Sequence, residues 1–286
     1  MPKPVQPPVI VLGMHRSGTS VVTRMLEALG LFVGRHKDPN SESMFFKRVN
    51  DWLLLQCGGA WDNPAPVRFL LNNPSLRAKT THYIAHSLIE SPRIISFLGP
   101  AKYLRYRSIY KLNKPWGWKD PRSTFTLPIW LDLFPGAKVI YMYRRGEEVA
   151  ASLQRRGRTL NGRQRLYEKL SALQWIIPKT GAFIGSPRCE ALAEGVALWQ
   201  EYVQQAATIL PPLGDSVLRL NFENILSHPF QSAVSLADFC GLQVPEARLV
   251  SVARMIKTPH ALSLQQAEMI PASGEISPST PECSDL

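Results

Sequence analysis

The sequence lacks an apolar run of the about 18 residues needed to span a membrane, and its first residues lack the regions of a signal peptide. Its four cysteines, Cys57, Cys189, Cys240 and Cys283, form no CxxC and no paired spacing. The sequence therefore predicts neither a disulfide framework nor a zinc site, and no clustered metal ligands are evident elsewhere. We expect a cytoplasmic, soluble protein with reduced thiols and no bound metal.

Apolar residues, by contrast, are plentiful. They make up 45% of the 286 residues, so a chain of this length can bury a substantial core. No internal repeat or domain boundary is evident, and we expect one domain over residues 1–270. Residues 271–286 are rich in Pro and Ser and poor in apolar side chains, which predicts a disordered tail.

The net charge of +11 raises the possibility of nucleic-acid binding, because clustered Lys and Arg neutralise backbone phosphates. Much of the excess lies in one stretch, RRGRTLNGRQR at 155–165. Other cations stand inside apolar patterns, where a small anionic ligand could use them. A basic balance fits an enzyme of highly charged anions equally well, so a nucleic acid is the less favoured partner.

Short apolar runs alternate with helical patterns along the chain. The runs predict four buried strands, at 8–13, 116–119, 138–144 and 217–222. The helical patterns are SVVTRMLEALGL after the first strand, TFTLPIWLDLF before the third, EEVAASLQRR after it, and residues 194–210 and 228–242. This alternation predicts an α/β fold of three layers, with a central parallel sheet flanked by helices.

Two long stretches, 51–115 and 153–193, fit this plan poorly. Segments inserted at the carboxyl ends of parallel strands tend to build the ligand crevice. We expect these stretches either to form the walls of an acceptor site or to be helical padding, and the sequence does not decide between the two.

The first strand runs into GMHRSGTS, which has the outline of a phosphate-binding loop. Gly13 and Gly18 stand as in GxxxxGK[ST], but Thr19 replaces the lysine that nucleotide hydrolysis uses. Arg16 supplies a cation three residues earlier, and the amides of residues 16–20 lead into a helix whose dipole favours an anion. The pattern predicts an anion site of a different kind, with a ligand-free turn as the alternative.

A second phosphate contact is predicted after the third strand. KVIYMYRRGEEVAASL places Arg144 at the end of that strand and Ser152 on the helix that follows, so both could face the same crevice. Two phosphate contacts at one sheet edge suggest a nucleotide that carries phosphate at two positions.

These motifs resemble those of sulfotransferases that use 3′-phosphoadenosine 5′-phosphosulfate (PAPS). In that family a [KR]SGT[ST] loop holds the 5′-phosphosulfate, and an arginine with a serine eight residues later holds the 3′-phosphate. The matching residues here are Arg16, Ser17, Gly18, Thr19, Ser20, Arg144 and Ser152. WGWKDPR at 116–122 resembles the KDPR signature of bacterial and some carbohydrate members, and NFENIL at 221–226 matches a later element loosely.

The resemblance implies sulfuryl transfer from PAPS to a hydroxyl or amine of a glycan, lipid or small molecule, without a metal. Arg16 and the loop amides would stabilise the departing phosphate, and Lys119 would contact the bridging or sulfate oxygens. The alternatives are a kinase or other nucleotide-binding protein of the same loop class, and a basic nucleic-acid-binding protein that uses 155–165.

The catalytic base is the least defined part of the predicted site. Glu42 is the first candidate because it follows the first helix, where related enzymes carry a catalytic glutamate. Asp120 is the second, although a salt bridge to Arg122 or Lys119 explains it equally well. His36 and Asp38 stay open, since Phe45-Phe46-Lys47 departs from the family's aromatic-Glu pattern. We interpret His15 as a spacing residue of the loop.

Overall fold

The computed structural model describes residues 4–169 and 186–256. The predicted tail at 271–286 lies outside these residues, as does part of the stretch 153–193, so the predicted domain bounds stay a prediction.

Four parallel strands form one sheet in the described part of the chain, in the order β2-β1-β3-β4. They are β1 (Val9–Gly13), β2 (Gly117–Lys119), β3 (Lys138–Tyr143) and β4 (Val217–Asn221). All four strands were predicted, each to within one residue at either end. Because the strands are parallel, their carboxyl ends meet at one edge of the sheet.

The α-helices are α1 (Thr19–Leu29), α2 (Met44–Leu55), α3 (Arg68–Leu71), α4 (Pro74–Tyr83), α5 (Ile95–Leu98), α6 (Pro100–Tyr106), α7 (Ser123–Leu133), α8 (Gly146–Lys169), α9 (Leu192–Ile209), α10 (Phe222–Ser227), α11 (Pro229–Cys240) and α12 (Glu246–Arg254). A π-helical turn (Ile84–Ile89) follows α4. The predicted helix at 194–210 begins two residues earlier, the one at 228–242 ends two residues sooner, and EEVAASLQRR is the first part of a longer helix.

Alternate residues of β1 point into two separate cores, which defines the three layers. Ile10 and Leu12 pack with buried residues of α2, α5 and α7 on one face. Val9 and Val11 pack with buried residues of α1 and α11 on the other. The predicted three-layer α/β fold is confirmed. Much of the stretch 51–115 is helical and contributes to the first core, for example through Phe97.

Candidate active site

Two glycines allow the loop after β1 to pass close to neighbouring elements. Gly13 has φ +132°, and a Cβ there would lie 2.2 Å from the main-chain oxygen of Met142 on β3. Gly18 has φ +92°, and a Cβ there would lie 2.2 Å from the ring of Phe222. Both positions require glycine for space and for conformation, which accounts physically for the GxxxxG spacing.

The loop presents main-chain N–H groups and a guanidinium to one cleft. Helix α1 begins at Thr19 without a side-chain cap. Val21 N–H already donates to the carbonyl of Gly18 at 2.9 Å, so it is the N–H groups of Thr19 and Ser20 that have no acceptor within the helix. Arg16 Nε donates to Ser152 Oγ at 2.9 Å, and Ser20 Oγ donates to the carbonyl of Asn40 at 2.7 Å. The Ser17 hydroxyl bonds to the carbonyl of Met14. The loop is therefore braced by its own hydroxyls while the helix end stays able to bind an anion.

Arginines crowd this cleft. Burial, together with the charges of Arg156, Arg144 and Arg155, lowers the pKa of Arg16. A bound anion would offset both causes, because its negative charge favours the protonated guanidinium. The cleft is open to solvent and is lined by Arg16, Arg144 and Ser152 among others.

Arg144 and Ser152, which the sequence predicts to hold one phosphate together, both line the cleft, but each is bonded to a different residue. The Arg144 guanidinium bonds to Glu148 through Nε at 2.8 Å and Nη2 at 2.6 Å, and lies over the ring of Phe222 at 4.6 Å. Glu223 is 3.6 Å from its Nε. Ser152 instead accepts from Arg16. Arg144 is thus paired with carboxylates in the structure, and a phosphate would have to compete with them.

Glu42 is buried at the side of the loop and is surrounded by cations. Its Oε1 lies 3.1 Å from Lys119 Nζ, and its Oε2 lies 3.3 Å from Arg122 Nη1 and 3.6 Å from Lys47 Nζ. Burial alone would raise the pKa of Glu42, but the charges of Lys119, Arg122 and Lys47 outweigh burial and lower it. The carboxylate is consequently held ionised.

Lys119, the last residue of β2, is only 1% exposed, so it is not a surface lysine at a strand end. Burial lowers the pKa of Lys119, and the contact with Glu42 opposes that shift. Since Lys119 also lines the cleft, its ammonium is fixed at the cleft wall rather than free in solvent.

Asp120 is fully buried and bonds to Arg122 and Asn50. Its Oδ1 accepts from the main-chain N–H and from Nη1 of Arg122, both at 3.0 Å, and its Oδ2 accepts from Asn50 Nδ2 at 2.8 Å. Burial raises the pKa of Asp120 to about 6, against the opposing charge of Arg122. The sequence left two roles open for Asp120, a catalytic base or a salt-bridge partner, and the structure contains the salt bridge to Arg122. Asp51 contacts the same arginine, at 2.5 Å from Nε.

Asn50 is a site residue that the sequence reasoning missed. Its amide NH₂ also lies 3.1 Å from Ser123 Oγ, and its Oδ1 accepts from Thr126 Oγ1 at 2.7 Å and from Trp130 Nε1 at 2.9 Å. Asn50 thereby holds Asp120, and through it Arg122, in place. The available signal was a polar residue in register with the apolar face of α2, between Phe46 and Leu53.

The two remaining base candidates are placed differently. Asp38 Oδ1 accepts from the main-chain N–H groups of Asn40 and Glu42, both at 2.9 Å, and Oδ2 pairs with Lys47 at 2.9 Å. Asp38 therefore shapes the turn that carries Glu42. His36 is exposed.

The comparison that decides the family is with a family model. The model of the "Sulfotransferase family" matches residues 7–246. The chain belongs to this family. No curated protein matched the chain in a separate search.

Solved structures of other sulfotransferases are similar to this one at low sequence identity. Sulfotransferase STF1 from Mycobacterium tuberculosis H37Rv is 14% identical over 90% of this chain and 73% of that one, with a TM-score of 0.45. The sulfotransferase domain of the Synechococcus PCC 7002 olefin synthase is 17% identical over 96% and 92%, with a TM-score of 0.46. Retinol dehydratase, solved with androsterone and the inactive cofactor PAP, is 14% identical over 89% and 65%, with a TM-score of 0.36.

A second, smaller cavity of this sulfotransferase adjoins the cleft. Trp61, Leu153 and Cys189 are among the residues that line this cavity but not the cleft. Both spaces are lined by His15, Asn40, Glu42 and Arg156. Glu42 therefore lies at the junction of the cleft and the cavity. Among the described residues that line these two spaces, Asp120 is absent.

Among the described residues of the sulfotransferase, no group of three or more His, Cys, Asp or Glu could hold a metal ion. The adjacent His82 and His86 have ring centroids 4.3 Å apart, and His86 pairs with Glu90 at 2.7 Å. In the same part of the chain, no helix combines the length and hydropathy needed to cross a membrane.

Proposed function

We propose that this sulfotransferase transfers the sulfuryl group of PAPS to a hydroxyl or amine of a small-molecule, lipid or carbohydrate acceptor. The observation that carries the proposal is one cleft with two anion contacts, the loop at 16–20 and Arg144, joined at Glu42 to a second cavity. In this proposal the cleft would hold a donor phosphorylated at two positions, and the cavity would hold the acceptor.

The residues of the cleft have the chemistry that such a donor requires. Arg16 and the N–H groups of the first turn of α1 would hold the 5′-phosphosulfate, because an uncapped helix end and a guanidinium both attract phosphate. Arg144 and Ser152 would hold the 3′-phosphate, with Arg144 exchanging Glu148 for the ligand. The lowered pKa of Arg16 supports a site that is completed by negative charge.

Catalysis would consist mainly of positioning and charge stabilisation. Arg16 and the loop amides stabilise the negative charge that grows on the departing phosphate. Lys119, which contacts Glu42 at the cleft wall, would contact the sulfate oxygens. Glu42 was the first candidate for the base from the sequence. It lines both the cleft and the cavity, which supports a position close to the acceptor.

Two alternatives make different predictions. A kinase would bind ATP with Mg²⁺, but Thr19 stands where the phosphate-binding lysine would be. A nucleic-acid-binding protein would use residues 155–165 as an exposed basic surface. Arg156 from that stretch lines both the cleft and the cavity, which favours a small anionic ligand instead.

A thermal-shift comparison of PAP, ATP with Mg²⁺, and ADP tests the proposal. A ligand at 100 times its Kd stabilises the folded state by about 2.7 kcal/mol, which is readily visible as a higher melting temperature. We expect PAP to produce the largest shift, and EDTA to leave that shift and any sulfuryl transfer unchanged. A larger shift with ATP and Mg²⁺, or activity that requires a metal, would support the kinase instead.

A further inference from the structure

His15 occupies an unusual position inside the anion-binding loop. The side chain is buried, at 6% exposure, and its ring contacts the ring of Trp61 edge-on with centroids 4.9 Å apart. Tyr202 makes a second edge-on contact at 6.2 Å. These two aromatics restrict the imidazole to one orientation. The ring lines both the donor cleft and the adjoining cavity.

One nitrogen of this imidazole is unsatisfied. The buried Nε2 has no hydrogen-bond partner among the described residues. Buried polar atoms are almost always hydrogen-bonded, so an exception needs a reason, and a ligand that completes the bond is one such reason. The position of His15 at the junction makes the acceptor's reacting group the natural partner.

The surroundings keep the imidazole in its base form. Burial, followed by the charges of Arg122 and Lys119, holds the pKa of His15 well below its usual range. The charged and titratable groups that face it come from several elements and are Glu42, Lys47, Lys119, Arg122, Arg156 and Tyr202. His15 is therefore neutral at pH 7, with a nitrogen lone pair to offer.

Glu42 is less suited to take a proton, although it shares the junction. Both of its oxygens contact cations, and its pKa is lowered by them. Both Glu42 oxygens are thus occupied by cations, whereas Nε2 of His15 has no hydrogen-bond partner among the described residues.

We propose that His15 is the general base of the transfer, accepting the hydrogen bond and then the proton of an acceptor hydroxyl. The hydroxyl oxygen forms the new bond to sulfur while the bond from sulfur to the donor's phosphate oxygen breaks, and its electron pair stays on that phosphate. The proton passes to His15 and is lost to solvent after the products leave. This assignment rests on the proposed function, because it requires a donor in the cleft.

The donor should also tune this base. Negative charge bound at Arg16, the next residue, would offset the cations that depress the pKa of His15. The imidazole would then become a better proton acceptor only when the donor is present.

A binding experiment tests the position of His15 independently of activity. The full-length protein, labelled in its histidines, is titrated with PAP by NMR, and His15→Gln identifies the His15 signal by its loss. We expect saturating PAP to move that signal and to raise the pKa measured from it. If calorimetry shows PAP bound while the His15 signal stays unchanged, the assignment is wrong. If PAP does not bind at all, the proposed function itself fails.

A kinetic experiment tests the chemistry, with water as the probe acceptor and release of sulfate from PAPS as the readout. We expect His15→Gln to slow hydrolysis by roughly 10²- to 10⁴-fold and to lose the acidic limb of the pH-rate profile, while PAP affinity changes less than about threefold. The exposed His82→Gln is the matched control and should behave as the wild type.

His15→Asn, with PAP affinity and melting temperature measured alongside, guards against a folding defect in the first variant. Hydrolysis within about threefold of wild type, with the acidic limb intact in a variant that still binds PAP, would overturn the assignment. Loss of that limb in Glu42→Gln but not in His15→Gln would give the role to Glu42.

Discussion

Arg144 offers the sharpest test of the donor site, because it is predicted to contact only one of the donor's phosphates. Replacing it with alanine removes a guanidinium whose side chain is 24% exposed and which is bonded to Glu148 in the structure. The 5′-phosphate contacts at the loop stay intact. PAP and AMP differ in the 3′-phosphate alone, so the effect should fall on PAP and spare AMP.

The magnitude follows from two opposing contributions. A hydrogen bond between charged groups contributes about 1.5 to 3 kcal/mol. Arg144 must first leave Glu148, and a partly exposed ion pair of this kind is worth about 0.2 to 1 kcal/mol. The net loss in Arg144→Ala should be about 0.5 to 2.8 kcal/mol, or roughly 2- to 100-fold in the Kd for PAP. By the same reasoning Glu148→Gln should tighten PAP binding by up to about fivefold.

Isothermal titration calorimetry with PAP and AMP on three variants decides the matter. Arg145→Ala is the matched control, since this neighbouring arginine has a side chain that is 72% exposed. The wild type should bind PAP more tightly than AMP, and Arg144→Ala should remove most of that difference. Equal affinity of the wild type for the two nucleotides would refute the assignment of Arg144. A tighter complex of Arg144→Ala with PAP would refute it equally.

The remaining predictions concern the loop, the buried charges and the pH response. Gly18→Ala should weaken PAP binding in a folded protein, because its Cβ would meet Phe222. Asp120→Asn should lower the free energy of unfolding by about 3 to 5 kcal/mol, as expected when a buried ion pair loses one partner, but leave the pH-rate limb in place. Stability should fall as pH drops below about 6.5, because unfolded His15 takes up a proton that the folded protein resists; His15→Gln should remove that component.

The sheet could be predicted from the sequence because its strands are short apolar runs that end at Gly, Pro or charged residues. The run at 138–144 and the strand at 138–143 differ by a single residue. The strand order could not be predicted, since it depends on which faces pack and not on local pattern. The stretch at 51–115 was left open because its short helices follow turns rather than a long periodic pattern.

The site was predictable where a residue's role depends on local spacing. Gly13 and Gly18 could be recognised from the spacing of the loop, and both have the positive φ that favours glycine. Contacts between residues far apart in the sequence could not be predicted from local spacing. Examples are the hydrogen bonds from Arg16 to Ser152 and from Asn50 to Asp120. His15 could have been flagged as a titratable side chain within an anion-binding loop.

The buried cations beside the junction, Lys119 and Arg122, are neutralised by the protein's own carboxylates. Lys119 and Arg122 are almost fully buried, and buried charges need partners to stay folded. Glu42 contacts both, so Glu42→Gln should destabilise the fold and shift Lys119 whether or not Glu42 takes a proton. A loss of turnover in that variant, even of 10²- to 10⁴-fold, would therefore not identify the base. Only the pH-rate profile separates a displaced lysine from a lost proton acceptor, because moving Lys119 slows the reaction at every pH whereas removing the base abolishes one limb.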